Sequence, residues 1–371
     1  MMREYRSDVL PNRNQGYSGR VTYDYASKYL VEFNFGYNGS ERLAAGHRFE
    51  FFPAVSAGWV ASSENFWEPI SKYINHFKIR GSYGLVGSDA FASGAPHFLY
   101  QNNIGIGSAH NFWTGLPTSE ISKKGPGFYV LAVQDAGWEH VKKFDIGFDM
   151  MLFNQLNITF DYFHDKRERI LMSRASWPSM LGYWGSKPWS NIGEVENQGF
   201  ELSLNWTKQF GKDLTLDLRG NFTYNQNEYK YVDEPSYPYV WQTNTGKPLN
   251  TVKGYIAEGL FTSEEEIANS PDQSQLGANI MPGDIKYRDL NGDGKITEDD
   301  QCMISKYGSV PRLQYGFGGT INYKKFDFGI FFSGSALRSI LINGLDPFLE
   351  GNRIPNKNCL LYTSPSPRDC S

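Results

Sequence analysis

The dominant pattern along the chain is a two-residue alternation of apolar and polar side chains, which indicates β-strands. Residues 29–37 show it most clearly, because every odd position is aromatic or valine and most even positions are polar or glycine. An amphipathic helix is excluded there, since its apolar residues would recur every three to four positions. The same alternation predicts ten strands, at 17–25, 29–37, 51–60, 77–85, 144–152, 156–162, 200–206, 214–224, 317–323 and 326–332.

The connections between these strands alternate between short and long. The short ones are predicted at 26–27, 61–76, 154–155, 208–213 and 324–325, and the long ones at 39–50, 87–143, 166–197 and 226–312. Loops of the longer kind are uncommon in compact soluble domains. Outer-membrane barrels have short periplasmic turns and long extracellular loops between antiparallel strands of about ten residues. The pattern therefore predicts an all-β chain, an antiparallel transmembrane β-barrel with long extracellular loops.

The two faces of the predicted strands differ in a way that fits a barrel wall. We expect the apolar faces to contact lipid and the faces that carry Arg80, Asp149, Glu201, Asp217 and Arg219 to line a hydrated lumen. The alternative is a soluble all-β protein whose apolar face packs against a second sheet. Strand length, aromatic residues at strand ends and the size of the loops favour the membrane interpretation.

Composition narrows the function classes further. The 371 residues carry a formal net charge of −4, which argues against a nucleic-acid-binding surface. No apolar run approaches the ~18 residues of a membrane-spanning helix. Three cysteines, two of them in the last thirteen residues, suggest neither a disulfide framework nor a thiolate metal site. Residues 1–10 contain four charged side chains and no apolar stretch, so they do not read as a secretory signal.

Six segments, in order along the chain, resemble the SusC/RagA family of TonB-linked outer-membrane proteins. They are YLVEFNFGYNGSERLAAGHRFEFFPAVSAGW at 29–59, FKIRGSYGLVGSD at 77–89, NIGEVENQGFELSLNW at 191–206, GLFTSEEEIANSP at 259–271, GDIKYRDLNGDGKITEDD at 283–300 and GSVPRLQYGFGGTINYKKFDFGIFF at 308–332. The resemblance covers nearly all of residues 17–358 and corresponds to the later part of the family's barrel.

The resemblance implies about ten strands of a 22-stranded, TonB-dependent barrel in the outer membrane of a Bacteroidota-type bacterium. It implies import of oligosaccharides or peptides together with a SusD-like surface lipoprotein. Energy is expected to come from TonB–ExbB–ExbD through an N-terminal region that this sequence lacks. An enzymatic activity is not implied. The alternative function is that of a secreted, soluble, β-rich carbohydrate-binding protein. A third candidate is a hydrolase embedded in the barrel, but the sequence contains no Ser/His pair that supports it.

The two ends do not fit the family pattern. Signal peptide, plug and early strands are missing, so the resemblance implies a fragment with a truncated leader at 1–16 and a partial barrel at 17–358. Residues 359–371, CLLYTSPSPRDCS, look like a translated sequencing adapter, and the alternative is a short natural Pro/Ser-rich tail.

One local motif, at residues 289–300, has the residue spacing of a calcium-binding loop. In DLNGDGKITEDD the calcium-loop positions 1, 3, 5, 7, 9 and 12 fall on residues with oxygen donors, and glycine stands at the sharp-turn position 6. Position 12 is aspartate instead of the bidentate glutamate, which predicts a weak structural Ca²⁺ site. The alternative is an ordinary turn with solvated carboxylates. The candidate ligands are Asp289, Asn291, Asp293, Lys295 through its carbonyl, Thr297 and Asp300.

Two features of the long loops complete the predictions. Ser263, followed by three glutamates, fits a capping box that opens a short helix. Tryptophans in the loops could stack on sugars or peptide side chains at the extracellular mouth, although packing among loops is the simpler explanation. These tryptophans are Trp113, Trp138, Trp177, Trp184, Trp189 and Trp241.

Overall fold

The computed structural model describes residues 13–91, 95–105, 111–116, 119–125, 127–178, 180, 187–277, 279–342 and 359–362. Short 3₁₀ turns lie at Ala61–Ser63, Asn65–Trp67, Val240–Gln242 and Glu298–Asp300, and helix α1 spans Glu264–Ala268. In the described part of the chain, no α-helix has the length and apolar content that crossing a membrane requires.

Most of the described chain is strand. The strands are β1 (Asn14–Tyr25), β2 (Tyr29–Ser40), β3 (Phe49–Val60), β4 (Ile74–Ser88), β5 (Asn103–Gly105), β6 (Asn111–Leu116), β7 (Ser119–Lys124), β8 (Gly127–Val130), β9 (Glu139–Leu152), β10 (Leu156–Ser173), β11 (Trp189–Phe210), β12 (Leu214–Tyr231), β13 (Lys253–Gly254), β14 (Ala257–Leu260), β15 (Ile285–Tyr287), β16 (Cys302–Met303), β17 (Leu313–Tyr323), β18 (Phe326–Ala336), β19 (Ser339–Ile342) and β20 (Cys359–Tyr362).

The ten predicted strands are confirmed as one large sheet. Among the described residues the sheet has the order β1-β2-β3-β4-β9-β10-β11-β12-β17-β18, so each long strand neighbours the next long strand along the chain. The paired strands are antiparallel, as in β1 with β2, β4 with β9, and β17 with β18. The all-β antiparallel fold is therefore correct, and the short strands β5–β8 and β13–β16 lie in the long connections.

Tight turns close the hairpins at one end of the sheet. Ala26 and Ser27 both have positive φ, at 53° and 54°, between β1 and β2. This left-handed pair is the geometry of a two-residue hairpin turn that matches strand twist. The β9–β10 turn uses Phe153 and Asn154 in the same way, so the turn lies one residue earlier than the predicted 154–155.

The loop between β10 and β11 is shorter than the sequence pattern indicated. Strand β10 continues to Ser173 and β11 begins at Trp189, so the loop predicted at 166–197 is only 174–188. Strands β10 and β11 are longer than predicted because charged side chains replace apolar ones at the alternate positions and form ion pairs with neighbouring strands. Lys142 on β9, for example, lies 2.6 Å from Glu168 on β10. The prediction was wrong because it followed apolar residues alone.

Two compact units divide the described chain, with strand β11 running from the first into the second at residues 198 and 199. In the first unit, apolar side chains from the long connections pack with β3 and β10 into a small core. Trp138 contacts Phe52 edge-on with ring centroids 5.5 Å apart, and its indole N–H donates to the Arg48 carbonyl at 3.0 Å. The core residues are Leu43, Phe52, Leu99, Val133, Ala136, Trp138 and Leu171.

The second unit contains β12, β17, β18 and the loop subdomain, which we define as residues 236–312. Within the loop subdomain β13 pairs with β16 and β14 pairs with β15. Ile296, Phe261 and Cys302 are its buried apolar residues. The long connection after β12 is therefore a folded element with its own core.

The structure describes only part of the sequence at each end. Strand β1 begins at Asn14, inside the predicted 1–16 leader, and residues 1–12 are outside the described residues. At the other end, Cys359–Tyr362 pairs antiparallel with Ser339–Ile342, whereas 363–371 is outside the described residues.

Candidate functional site

One face of the large sheet is apolar and exposed to a degree unusual for a protein in water. In the first unit, Val21, Phe33 and Val55 lie side by side on β1, β2 and β3, and they are 64%, 41% and 48% exposed. In the second unit, Ile321 and Phe328 face each other across β17 and β18 and are 46% and 66% exposed. Continuous exposed apolar surface of this kind marks a contact with lipid or a partner. We call it the apolar face.

The opposite face carries a network of charged residues in the first unit. Arg80 on β4 lies 3.3 Å from Asp149 and 3.7 Å from Asp145, both on β9, and donates at 2.7 Å to Asp161 on β10. Gly147 stands opposite Arg80 on β9, and any Cβ there would collide with the Asp161 carboxylate. The glycine therefore leaves the space through which Asp161 reaches the guanidinium.

The strands of the second unit also have a polar face. Asp217 accepts from the Thr207 hydroxyl at 2.7 Å and from the Asn322 amide at 3.3 Å, and the Arg219 guanidinium lies 4.9 Å from the centre of the Phe331 ring. Glu201 is exposed. The polar residues predicted for a lumen thus lie on the opposite side of each strand from the apolar residues, and Arg80 and Asp149 are in contact.

On the apolar face itself, the residue type changes abruptly along β10. Ile158, Phe160 and Tyr162 are followed at the same alternate positions by a histidine, a lysine and a glutamate. These side chains pair across β9 to β12: Lys142 with Glu168 at 2.6 Å, Lys166 with Glu194 at 3.4 Å, Lys230 with Glu196 at 2.7 Å, and His164 with Glu196. We call these seven residues the charged belt.

The charged belt limits where a membrane can contact this sheet. A lysine or arginine facing lipid costs about 2–4 kcal/mol at the bilayer centre and little at the interface. The belt lies on the side of the long connections, and the tight turns lie at the other end of the apolar face. The apolar face between them is therefore the part suited to hydrocarbon, and the sequence pattern missed the belt because it interrupts the apolar alternation.

The predicted calcium loop uses its oxygen atoms for backbone hydrogen bonds. Asp289 accepts from the N–H groups of Gly292 at 2.7 Å and Gly294 at 2.8 Å, and Asp293 accepts from the Lys295 N–H at 2.8 Å. The Asn291 side-chain oxygen accepts from the Asp293 N–H at 2.9 Å. Both glycines have left-handed φ values, 77° and 81°, so the chain doubles back there as the motif predicts.

Asp300, at the last position of the motif, is fully buried. Its two carboxylate oxygens accept from the N–H groups of Leu290 and Thr297, both at 2.8 Å, and Thr297 caps the 3₁₀ turn Glu298–Asp300. Among the described residues, no three His, Cys, Asp or Glu side chains are grouped as a metal site would require. Calcium binding by this loop stays a prediction.

The capping prediction for helix α1 is confirmed with one difference. The Ser263 hydroxyl accepts from the Glu266 N–H at 3.2 Å, as expected of an N-cap. The Glu266 carboxylate reaches one residue further than in a standard box and accepts from the N–H and hydroxyl of Thr262, at 2.9 and 2.7 Å. These bonds from Thr262, together with Lys286 at 3.3 Å, lower the pKa of Glu266 to about 2.

The loop tryptophans have different environments. Trp138 is buried in the core of the first unit, and Trp189 packs against that core. In the loop subdomain, Trp241 stacks on Tyr239 with ring centroids 4.5 Å apart, and its N–H donates to the Asp299 carbonyl at 2.9 Å. Trp177 is half-buried, whereas Trp184 and the Trp113 side chain lie outside the description. A stacking surface for sugars or peptides stays a prediction.

Comparison with known proteins gives a consistent result. The family model described as TonB dependent receptor-like, beta-barrel matches residues 5–344. The TonB-dependent receptor P3 of Formosa agariphila is 29% identical over 337 residues, which cover 87% of this chain and 32% of that protein. The TonB-dependent receptor SusC of Bacteroides thetaiotaomicron is 26% identical over 348 residues, covering 88% of this chain and 31% of SusC.

Solved structures agree on the fold. The structure of the RagAB peptide transporter matches with a TM-score of 0.66 at 17% identity, over 89% of this chain and 34% of that one. The chain thus spans about a third of the length of the relatives that it matches.

Proposed function

The chain belongs to the family of TonB-dependent receptor-like β-barrels, and on that basis we propose that it forms part of the wall of an outer-membrane importer for oligosaccharides or peptides. Its place is the outer membrane of a Bacteroidota-type bacterium. The observation that carries the proposal is the division of the sheet into an exposed apolar face and a charged, hydrogen-bonded face. A hydrated lumen on one side and lipid on the other require this division.

The proposed partners follow from the relatives. One solved structure of similar fold is that of a peptide importer, RagAB, and one relative is SusC. We propose that the complete protein acts with a SusD-like surface lipoprotein and draws energy from TonB–ExbB–ExbD through a region outside this chain. The long connections, including the loop subdomain, lie at the end of the sheet where a surface lipoprotein would contact the barrel.

The proposed role is transport rather than catalysis. The charged residues of the polar face are paired with one another, as Arg80 is with three aspartates. Such pairing suits a structural wall and does not resemble a nucleophile held by a base. In this proposal, other proteins therefore carry out any chemical breakdown of the transported compound.

Localisation and growth test the proposal. The complete gene would be tagged in its host, and the outer-membrane fraction would be examined for a band whose gel mobility changes on heating. Deletion is expected to abolish growth on some oligosaccharide or peptide mixtures and to leave growth on monomers unchanged. A complete protein found in the aqueous fraction without a heat-dependent shift would instead support the soluble carbohydrate-binding alternative.

The partner is tested separately. Detergent extraction and purification of the tagged protein are expected to bring down a surface lipoprotein in a fixed ratio. Recovery of a folded, heat-modifiable barrel with no lipoprotein would contradict the partner proposal and leave the barrel assignment intact.

A further inference from the structure

The connection from β3 to β4 differs from the other tight turns of the sheet. It is long enough to form helical turns at Ala61–Ser63 and Asn65–Trp67. These are followed by backbone hydrogen bonds from Ile70 N–H to Trp67 C=O at 2.9 Å and from Ile74 N–H to Ile70 C=O at 3.0 Å. We call residues 61–73 the turn segment.

The turn segment is amphipathic. Phe66, Ile70 and Tyr73 recur at four- and three-residue spacing, which places them on one side of a helical turn. They are 60%, 41% and 62% exposed. Glu68 and Lys72 are also exposed and lie between them in sequence. An exposed apolar stripe on a short helical segment with charged neighbours is typical of a helix that lies in a membrane interface.

The aromatic residues of the turn segment lie over the apolar face of the sheet. The Phe66 ring lies 6.3 Å from that of Trp59 at the end of β3. Trp67 stacks on Phe77 of β4 with centroids 5.3 Å apart and planes 6° from parallel. Trp59 pairs with Ile79 on β4. Phe77 is two residues before Ile79 on the same strand and therefore lies on the same face of the sheet. The exposed stripe is therefore continuous with the lipid-facing surface.

Contacts with the neighbouring turns hold the segment in this place. Glu64 accepts from Lys28 at 3.1 Å and from the Tyr29 hydroxyl at 2.9 Å, both near the β1–β2 turn. On the other side, the Phe153 N–H donates to the Tyr73 carbonyl at 2.9 Å, and the two rings meet edge to face at 6.1 Å. Fixed at both sides, the segment is not a free periplasmic loop.

We infer that the turn segment is an interfacial anchor that inserts Phe66, Ile70 and Tyr73 into the phospholipid headgroup region at the periplasmic side of the membrane. The inference rests on the proposed function, because it takes the apolar face to contact lipid. Continuity with that face identifies lipid as the occupant, and aromatic rings with a polar edge, such as Tyr73 and Trp67, are favoured at this depth. The polar side of the segment, with Glu68 and Lys72, faces the periplasm.

Spin-label accessibility in the complete protein tests the inference. Single cysteines would be introduced as Ile70→Cys in the stripe, Lys72→Cys on the polar side and Val31→Cys on the apolar face, in a background where serine replaces Cys302 and every other native cysteine of the complete protein. Each labelled protein would be reconstituted in phosphatidylethanolamine–phosphatidylglycerol vesicles. Collision with oxygen, which concentrates in lipid, would be compared with collision with a water-soluble nickel chelate. Phe66→Cys provides a second stripe position if Ile70→Cys does not fold.

The outcomes separate the inference from the proposed function. The labels at Val31 and Ile70 are expected to collide mainly with oxygen, and the label at Lys72 mainly with nickel. If Ile70 behaves like Lys72 while Val31 remains in lipid, the anchor is wrong and the barrel stands. If the label at Ile70 reaches neither reagent, a protein partner covers the stripe and lipid is the wrong occupant. If Val31 itself meets nickel, the barrel assignment fails.

Discussion

Arg80 on β4 hydrogen-bonds to Asp161 on β10 at 2.7 Å, although β9 lies between the two strands. The guanidinium also faces Asp145 and Asp149 on β9, so one cation links carboxylates from two strands. The interaction ties three strands together at the polar face. Removing the cation would leave three carboxylates close together without a counter-charge.

We expect Arg80→Met to destabilise the folded barrel by about 1–2 kcal/mol, a range reduced for the partial exposure of the site. The measurement is urea unfolding of the complete protein in detergent, followed by the heat-dependent gel shift. Arg20→Met is the control, because Arg20 pairs with Glu32 at a largely exposed site and little change is expected. Equal effects of the two substitutions would show that the Arg80 network adds no stability of its own.

The strands could be predicted from the sequence because the alternation is a local property. Apolar residues such as Val31 and Phe33 recur every two positions because successive side chains of a strand point to opposite faces of the sheet. This period can be read from the sequence without knowing which strands pair. The continuation of β10 beyond Tyr162 was missed because its stabilising partners, for example Glu194 for Lys166, come from another strand. Pairings of that kind become visible only once the register is known.

The loops show the same limit more strongly. Ser263 could be identified as an N-cap because its partner, Glu266, is three residues away. The role of Asp300 could not, since it holds the backbone of Leu290, ten residues earlier, in a buried position. The motif suggested a metal ligand at Asp300, and the structure shows the same carboxylate bonded to amides. Sequence spacing alone does not distinguish the two uses.

The Glu266 carboxylate makes the helix α1 region sensitive to acid. Its pKa is lowered from 4.5 to about 2 by the Thr262 N–H and hydroxyl and by Lys286. Because the pKa is lower in the folded state than in the unfolded state, the ionised carboxylate stabilises the region at pH values above the unfolded-state pKa. This stabilisation is lost as the pH falls toward the folded-state pKa. We expect hydrogen exchange in Glu264–Ala268, corrected for intrinsic rates, to lose protection between about pH 4.5 and pH 2.

The variant Glu266→Gln should remove most of this pH dependence, because the amide carries no charge to titrate. Glu264→Gln is the matched control, since Glu264 is an exposed neighbour on the same helix. A wild-type pH profile that Glu266→Gln leaves unchanged would show that another group controls the opening.

Cys302 is expected to be unreactive in the folded protein. Burial raises the pKa of its thiol, and Lys247 and Arg288 oppose this only in part. Thiolate is the reactive form, so we expect maleimide labelling at pH 7.5 to be at least about tenfold slower than at an exposed cysteine. The comparison variant is Gln275→Cys with Cys302→Ser, at an exposed position of the same loop subdomain, and the other native cysteines are replaced by serine in both proteins. Similar labelling rates at the two sites would mean that the loop subdomain opens readily.

The calcium prediction is tested by titration calorimetry on the folded, complete protein. We expect binding with Kd of about 10⁻⁴–10⁻³ M, as in weak extracellular calcium sites, and loss of binding in Asp289→Asn. The asparagine keeps one side-chain oxygen that can accept from Gly292 or Gly294, so the turn loses only one of the two hydrogen bonds that Asp289 accepts. Glu298→Gln is the control, because position 10 of the motif is not a ligand. No heat of binding, or equal binding by Asp289→Asn, would leave these carboxylates as turn formers.

Neighbouring positions on β3 give the sharpest test of the two faces. Val55 lies on the apolar face between Phe33 and Tyr83, whereas Ser56 points to the other face, opposite Glu32. An arginine at position 55 would face hydrocarbon at a cost of about 2–4 kcal/mol if it lies near the bilayer centre. An arginine at position 56 would stay in water and could pair with Glu32. We therefore expect Val55→Arg to reduce the heat-modifiable fraction sharply in lipid vesicles and Ser56→Arg to fold nearly normally. The reverse order would place lipid on the polar face, and equal tolerance would mean that neither face is lipid-exposed.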